Sequence, residues 1–182
     1  METCRCPSGR IIAQSARAAR AAWKPDITGA RNVHEVRKSA FVPFPAEGMF
    51  DLIEAAEHYP AFLPWCAGAT VLERDDSVVS ATIAVDFHGV RFQFDTRNPK
   101  RRPEFMEIRL LRGPFRHFEG EWRLTRLAVT ACKIEFSLRY QFQSAMMARL
   151  ADPVFGNIAN TLVDAFVRRA EQVYGIGPAG GG

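Results

Sequence analysis

Near the end of the chain, polar and apolar residues alternate without a fault. Cys132, Ile134, Phe136, Leu138, Tyr140 and Phe142 share one parity, while Lys133, Glu135, Ser137, Arg139, Gln141 and Gln143 share the other. Successive strand side chains point to opposite faces, so this segment predicts a strand with one buried and one wet face. The segment before it repeats the pattern, with Phe118, Gly120, Trp122 and Leu124 against Glu119, Glu121 and Arg123. Phe87 and the row Val90, Phe92, Phe94 do the same. The first strand is HEVRKSAFV at 34–42. Six more are expected over 66–74, 78–88, 90–97, 104–112, 116–126 and 129–142, with turn signals at Asp75-Asp76, His88-Gly89, Asn98-Pro99, Gly113-Pro114 and Ala128.

Helical spacing appears twice. Met49, Phe50, Ile53 and Ala56 predict a short helix over 46–57, with Pro45 at its first position. Pro60 and Pro64 then bracket a second short helical turn, YPAFLP. Val154, Phe155, Ile158, Leu162, Phe166 and Val173 form the apolar stripe of a long helix over 153–174. Asp152 is its expected N-cap and Pro153 its first residue. Arg168 and Arg169 complement the dipole at its other end, Gly175 caps it and Pro178 prevents its continuation. At ~1.5 Å per residue the helix spans about 33 Å. The order is strand, two short helices, six strands, long helix: an α+β layer arrangement of one long helix on a curved antiparallel sheet. A bent sheet gripping one helix does not fill its concave side evenly. The remaining space is a tunnel lined by Phe, Trp and Leu, of the mostly apolar kind that takes small molecules.

Composition supports this reading. Apolar residues make up 47% of the 182-residue chain, and Phe outnumbers Tyr and Trp at 14 against 3 and 3. That weighting favours a greasy interior over a polar active site. No apolar run reaches the ~18 residues of a membrane span.

The charge is unevenly placed. Arg5, Arg10, Arg17, Arg20, Lys24 and Arg31 stand against Glu2 and Asp26, so residues 1–32 carry the whole net charge of +4. The remainder is neutral and lacks the overall basic footprint of a nucleic-acid domain. Residues 91–126 are a local exception, with ten basic residues against five acidic and a knot at Arg97, Lys100, Arg101 and Arg102. That knot is either a solvated strand edge or a docking patch for phosphate-rich surfaces. Residues 1–32 are rich in Arg, Ala and Ser, which fits a disordered basic extension, a misplaced start with the natural one near Val33, or an organellar transit peptide. Residues 33–175 are the expected domain and 176–182 a flexible glycine-rich tail.

Candidate chemistry is sparse. Cys4-x-Cys6 has no second ligand pair, and Cys66 and Cys132 sit in apolar runs as expected buried thiols. His34, His58, His88 and His117 show no metal-ligand spacing, and no hydrolase, zincin or nucleotide-loop motif occurs. No metal, no cofactor and no catalytic residue is expected. Asp86, Glu107 and Arg109 are the residue types an acid–base pair would use, but their parity puts them opposite the apolar rows.

The segments KSAFVPFPAEGMFDLI, YPAFLPWC, GPFRHFEGEWRL, ACKIEFSLRYQF and DPVFGNIANTLVDAFVRRAEQVYG carry a resemblance. The chain is similar, over about 33–175, to the START-like helix-grip superfamily. Within it, the chain resembles the branch of coenzyme Q-binding proteins, polyketide cyclase/dehydrase-like proteins and bacterial ribosome association toxins. The resemblance implies a helix-grip fold with about seven strands around the C-terminal helix. It also implies a bound hydrophobic ligand, with ubiquinone or a similar polyprenyl lipid the leading candidate, in a carrier or chaperone that supports respiration. The other role in the branch is a toxin of a toxin–antitoxin pair that binds the large ribosomal subunit and blocks subunit joining; a cyclase-type enzyme is the third.

The candidate tunnel lining is Phe62, Leu63, Trp65, Phe87, Phe92, Phe94, Phe118, Trp122, Phe136, Tyr140, Phe155, Ile158 and Phe166, each of which plain core packing would equally explain. Tyr140 and Trp122 are the expected polar handles for a quinone carbonyl. Gly156 thins the helix for a ligand or a close strand, and YPAFLP forms a lip whose apolar side chains touch a membrane transiently. No specific DNA partner is implied. The expected location is the bacterial cytoplasm, peripheral to the inner membrane, with mitochondria as the alternative.

Overall fold

The seven alternating segments pair in the order β1-β7-β6-β5-β4-β3-β2, every neighbour antiparallel. The strands are β1 (His34–Val42), β2 (Cys66–Arg74), β3 (Val78–Phe87), β4 (Val90–Arg101), β5 (Phe105–Arg112), β6 (Phe115–Ala128) and β7 (Ala131–Phe142). Between β1 and β2 lie α1 (Ala46–Glu54) and a 3-10 turn (Ala56–Ala61), and α2 (Ala145–Tyr174) closes the chain. The computed structural model describes residues 33–175. The expectations for 1–32, with Cys4 and Cys6, and for 176–182 lie outside the described residues.

Alternation becomes burial as the pattern requires. On β7 every residue from Cys132 to Phe142 of even number is buried, and every odd one is half-buried on the wet face. Phe118, Trp122 and Leu124 of β6 are buried on the same side, directly opposite Tyr140, Phe136 and Ile134. A tight turn at His88 and Gly89, both with positive φ of 50° and 81°, joins β3 to β4. That left-handed geometry suits the twist of the flanking strands.

In three regions the boundaries differ from expectation by three residues or more. First, α2 begins at Ala145, not Pro153. The Ser144 hydroxyl accepts from the Met147 N–H at 3.2 Å, so the helix is capped two turns earlier, and Pro153 lies in its interior. Its missing N–H removes a single helical bond, which the capped segment ahead of it tolerates. Second, β4 runs through Asn98-Pro99 to Arg101. Pro99 still pairs with Val78, and no β5 partner is registered for Asn98 or Pro99, so the ring's missing donor costs no bond on that side. Third, the first helix stops at Glu54, and the second turn starts at Ala56 rather than at Tyr59.

One irregularity matters for the interior. The β4–β5 register shifts between Asp95 and Thr96. Phe94, Asp95 and Thr96 are consecutively buried, and the extra residue of the bulge is Leu111 of β5, so alternation along β4 continues. Before it the even residues Phe92 and Phe94 face the helix; after it Thr96, Asn98 and Lys100 do so as well. α2 packs mainly along β1 and β7 and against α1. Its far end is tied down by the Tyr174 hydroxyl, which donates to the Gly48 carbonyl at 3.0 Å.

Candidate functional site

Where β3 to β6 curve away from α2, the packing leaves a cavity of about 100 Å³. Its floor comes from Val79, Ala81 and Ile83 of β3, Phe94, Thr96 and Asn98 of β4, and Met106 and Ile108 of β5. Phe118 and Trp122 of β6 with Phe136 and Leu138 of β7 continue it. Phe155, Ile158, Ala159 and Leu162 of α2 form the roof, and Ile53, Glu54, Ala56, Tyr59 and Trp65 close the side.

Two aromatic clusters bound this space. At one end Tyr59, Phe62 and Phe166 meet edge to face at 5.3 to 6.0 Å, with Trp122 against Phe166 at 5.3 Å. At the other, Phe115 lies 4.6 Å from Phe142 and 4.7 Å from Phe118, and Phe155 stands 4.8 Å from Tyr140. Tilted and edge-on ring pairs are favourable beyond their buried area, so ring–ring contacts add to apolar burial at both ends.

The thirteen candidate lining residues fall into two groups. Trp65, Phe94, Phe118, Trp122, Phe136, Phe155 and Ile158 line the cavity. The other six do not. Leu63 is fully buried in the core. Phe62 and Phe166 belong to the first aromatic cluster, with the Arg169 guanidinium 5.4 Å over Phe62. Phe92 packs against Phe115, Phe142 and Phe155. Phe87 sits at the strand end beside His88. Tyr140, an expected handle, stacks on His34 at 5.1 Å and faces the Asp152 carbonyl at 3.4 Å. Gly156 serves that contact, since a Cβ there would lie 3.2 Å from the Tyr140 hydroxyl. It makes room for a strand side chain.

Polar wall residues were missed. Glu54 and Tyr59 lie on segments read only for their apolar spacing, and Thr96 and Asn98 continue the inward parity of Phe92 and Phe94 past the end of the aromatic row. The Tyr59 hydroxyl donates to the Ile53 carbonyl at 2.6 Å, and burial pushes its pKa well above the ordinary phenol value. Burial also lifts Tyr140 to about 12. Both phenols therefore stay protonated near neutral pH. The parity of Val79, Ala81 and Ile83 was the one signal that would have added β3 to the lining.

The basic knot is divided by the structure, which corrects its reading as one surface patch. Lys100 points inward, its side chain 6% exposed, and its Nζ lies 2.7 Å from Glu54 Oε1. Arg102 is bidentate to Asp51 at 2.7 and 2.8 Å. Arg101 pairs with Glu104 at 2.9 Å and Arg97 approaches Glu73 at 3.6 Å. Each exposed arginine thus has a carboxylate beside it. Asp86 pairs with Arg91, and Glu107 with Arg109; none of Asp86, Glu107 and Arg109 lines the cavity. Among the described residues no His, Cys, Asp and Glu group could hold a metal, and no helix is long and apolar enough to cross a membrane.

Comparison with known proteins adds a second line of observation. The family described as polyketide cyclase / dehydrase and lipid transport matches residues 42–167. The ribosome association toxin RatA of Pseudomonas aeruginosa is 37% identical over 140 residues, covering 77% of this chain and 97% of that protein. The mitochondrial coenzyme Q-binding protein COQ10 homolog B of Xenopus laevis is 25% identical over 153 residues, covering 82% of this chain and 62% of that protein. Among solved structures, the Zhui aromatase/cyclase from Streptomyces sp. R1128 superposes with a TM-score of 0.69 at 18% identity, covering 83% of this chain and 100% of that one. That likeness is one of fold.

Proposed function

The chain belongs to the polyketide cyclase/dehydrase and lipid transport family, and from that premise and the cavity's geometry we propose that it binds one amphiphilic lipid, a prenylated quinone, between the sheet and α2. The observation that carries this reading is the cavity of about 100 Å³ held between two aromatic clusters. An apolar cavity of about 150 Å³ admits benzene, so at about 100 Å³ this one is the seed of a ring site whose walls part further when a ring enters. An isoprenoid tail exceeds it and extends beyond the cavity. The likeness to a coenzyme Q-binding protein supports the class. The reading is one of binding without catalysis. Glu54, the carboxylate in the wall, is held by Lys100 and Arg74, and the other acid–base candidates stand outside. The chain then works in the cytoplasm as a carrier that meets the membrane when ligand is exchanged.

The test is organic extraction of protein purified from a quinone-producing host, followed by mass spectrometry. Near-stoichiometric quinone is expected, and Ala159→Leu, which adds three carbons to the roof, should empty the protein. A native protein that carries no quinone and takes up none when offered would overturn the reading.

The likeness to a protein named for ribosome association favours a second reading, binding to the large ribosomal subunit. Salt-sensitive cosedimentation with purified large subunits is its expected signature, and its absence at low salt would remove it.

A further inference from the structure

Apart from the indoles of Trp65 and Trp122, the cavity wall is apolar except at one corner. There Asn98 and Lys100 continue the inward row of β4 under the C-terminal end of α1. Asn98 Oδ1 is buried with no hydrogen-bond partner. Glu54 lines the cavity beside it. Its Oε1 receives Lys100 Nζ at 2.7 Å and lies 3.5 Å from Arg74 Nε, which fixes the carboxylate while leaving acceptor capacity free. The Tyr59 hydroxyl is already committed to the Ile53 carbonyl. Thr96 also lines this wall, and its hydroxyl serves either way. A carboxylate and an amide oxygen only accept. A buried acceptor left unpaired is costly, and a ligand that pairs it recovers that cost.

We propose that this corner selects ligands that donate, so that a ring bearing a hydroxyl is held more tightly than the same ring bearing a carbonyl. Resting on the quinone reading above, the chain is a binder of the reduced form, the quinol. Asn98 is the residue that sets the preference, with Glu54 as the second acceptor. A quinone carbonyl placed against Asn98 Oδ1 and the Glu54 carboxylate would face two acceptors and leave that Oδ1 unpaired, while the nearby Lys100 ammonium is engaged by Glu54.

The experiment uses the full chain and one short probe, a ubiquinone analogue with a ten-carbon saturated tail. Binding of its oxidised and its borohydride-reduced forms is compared by anaerobic calorimetry. The quinol is expected to bind about tenfold more tightly, the yield of one recovered buried hydrogen bond. By linkage the midpoint potential of the bound two-electron couple then rises by about 30 mV. Asn98→Leu, close in size but without an acceptor, should bring the two affinities together by weakening the quinol alone. Equal affinities, or a tighter quinone, would overturn the preference while leaving the ligand class standing. Binding of neither form would overturn both. The comparison on the unaltered protein needs no variant, so it decides the matter even where Asn98→Leu fails to fold.

Discussion

Glu57 and Arg74 show how a single pair couples the 3-10 turn to the sheet edge. Arg74 donates to both carboxylate oxygens of Glu57 at 2.7 and 2.8 Å, and this hydrogen bond lowers the Glu57 pKa from 4.5 to about 2. A depressed folded-state pKa stabilises the fold fully above the unfolded value and loses that contribution as pH falls toward the folded one. The loss therefore lies between about pH 4.5 and 2. Both side chains are more than a third exposed, so solvent screening limits the effect to a few tenths up to about 1 kcal/mol. Arg74→Gln should flatten that part of the stability–pH curve, as measured by urea denaturation at stepped pH. The thiols give a second prediction at this scale. Burial raises both Cys66 and Cys132 to about 11, and the thiolate is the reactive species. Alkylation at pH 8, mapped by mass spectrometry, should spare both cysteines in the folded protein and label both in denaturant.

At the scale of elements, the pairing of β6 with β7 leaves no room for a side chain at one point. Gly120 lies opposite Leu138, and a Cβ there would come 2.8 Å from the Ser137 carbonyl oxygen. That neighbour is backbone in the middle of a ladder and cannot swing away. Gly120→Ala should cost roughly 1–3 kcal/mol, as overpacking does, and lower the melting temperature by several degrees. α2 makes a contrasting case. Its first two turns precede Pro153 and depend on the Ser144 cap. Ser144→Ala should cost about 1 kcal/mol and speed amide exchange from 147 to 151 while leaving later turns protected.

For the whole molecule, the consequence is a division between an apolar interior that holds a cavity and an exterior on which charge is mostly paired. If the ribosomal reading holds, the exposed Arg97, Arg101 and Arg102 are its natural contacts, and the buried Lys100 is not among them. Reversing the three arginines to Glu should weaken subunit binding about tenfold at low salt and reduce its salt dependence, since each phosphate contact releases counterions. Sedimentation across a salt series measures both. Binding unchanged in that variant would move the contact elsewhere on the surface.

The sequence by itself determined the strands, their inward parity on β6 and β7, the α+β order and the closing helix. Alternation and helical spacing are local properties, written wherever one face is wet and the other dry. The tertiary structure alone decided three things. Cross-strand pairing placed the bulge, with Leu111 of β5 as its extra residue, and packing of β4 under α1 brought the inward Asn98 and Lys100 beside Glu54. Capping at Ser144 set the start of α2 against the pull of Pro153, because one lost backbone bond is cheaper than an unpaired helix end. The position of the cavity separated Trp65 and Phe94, which line it, from Phe92, Tyr140 and Phe166, which pack beside it. A void is what remains after side chains from several elements fill a shared space, and that sum has no counterpart in any one segment of the chain.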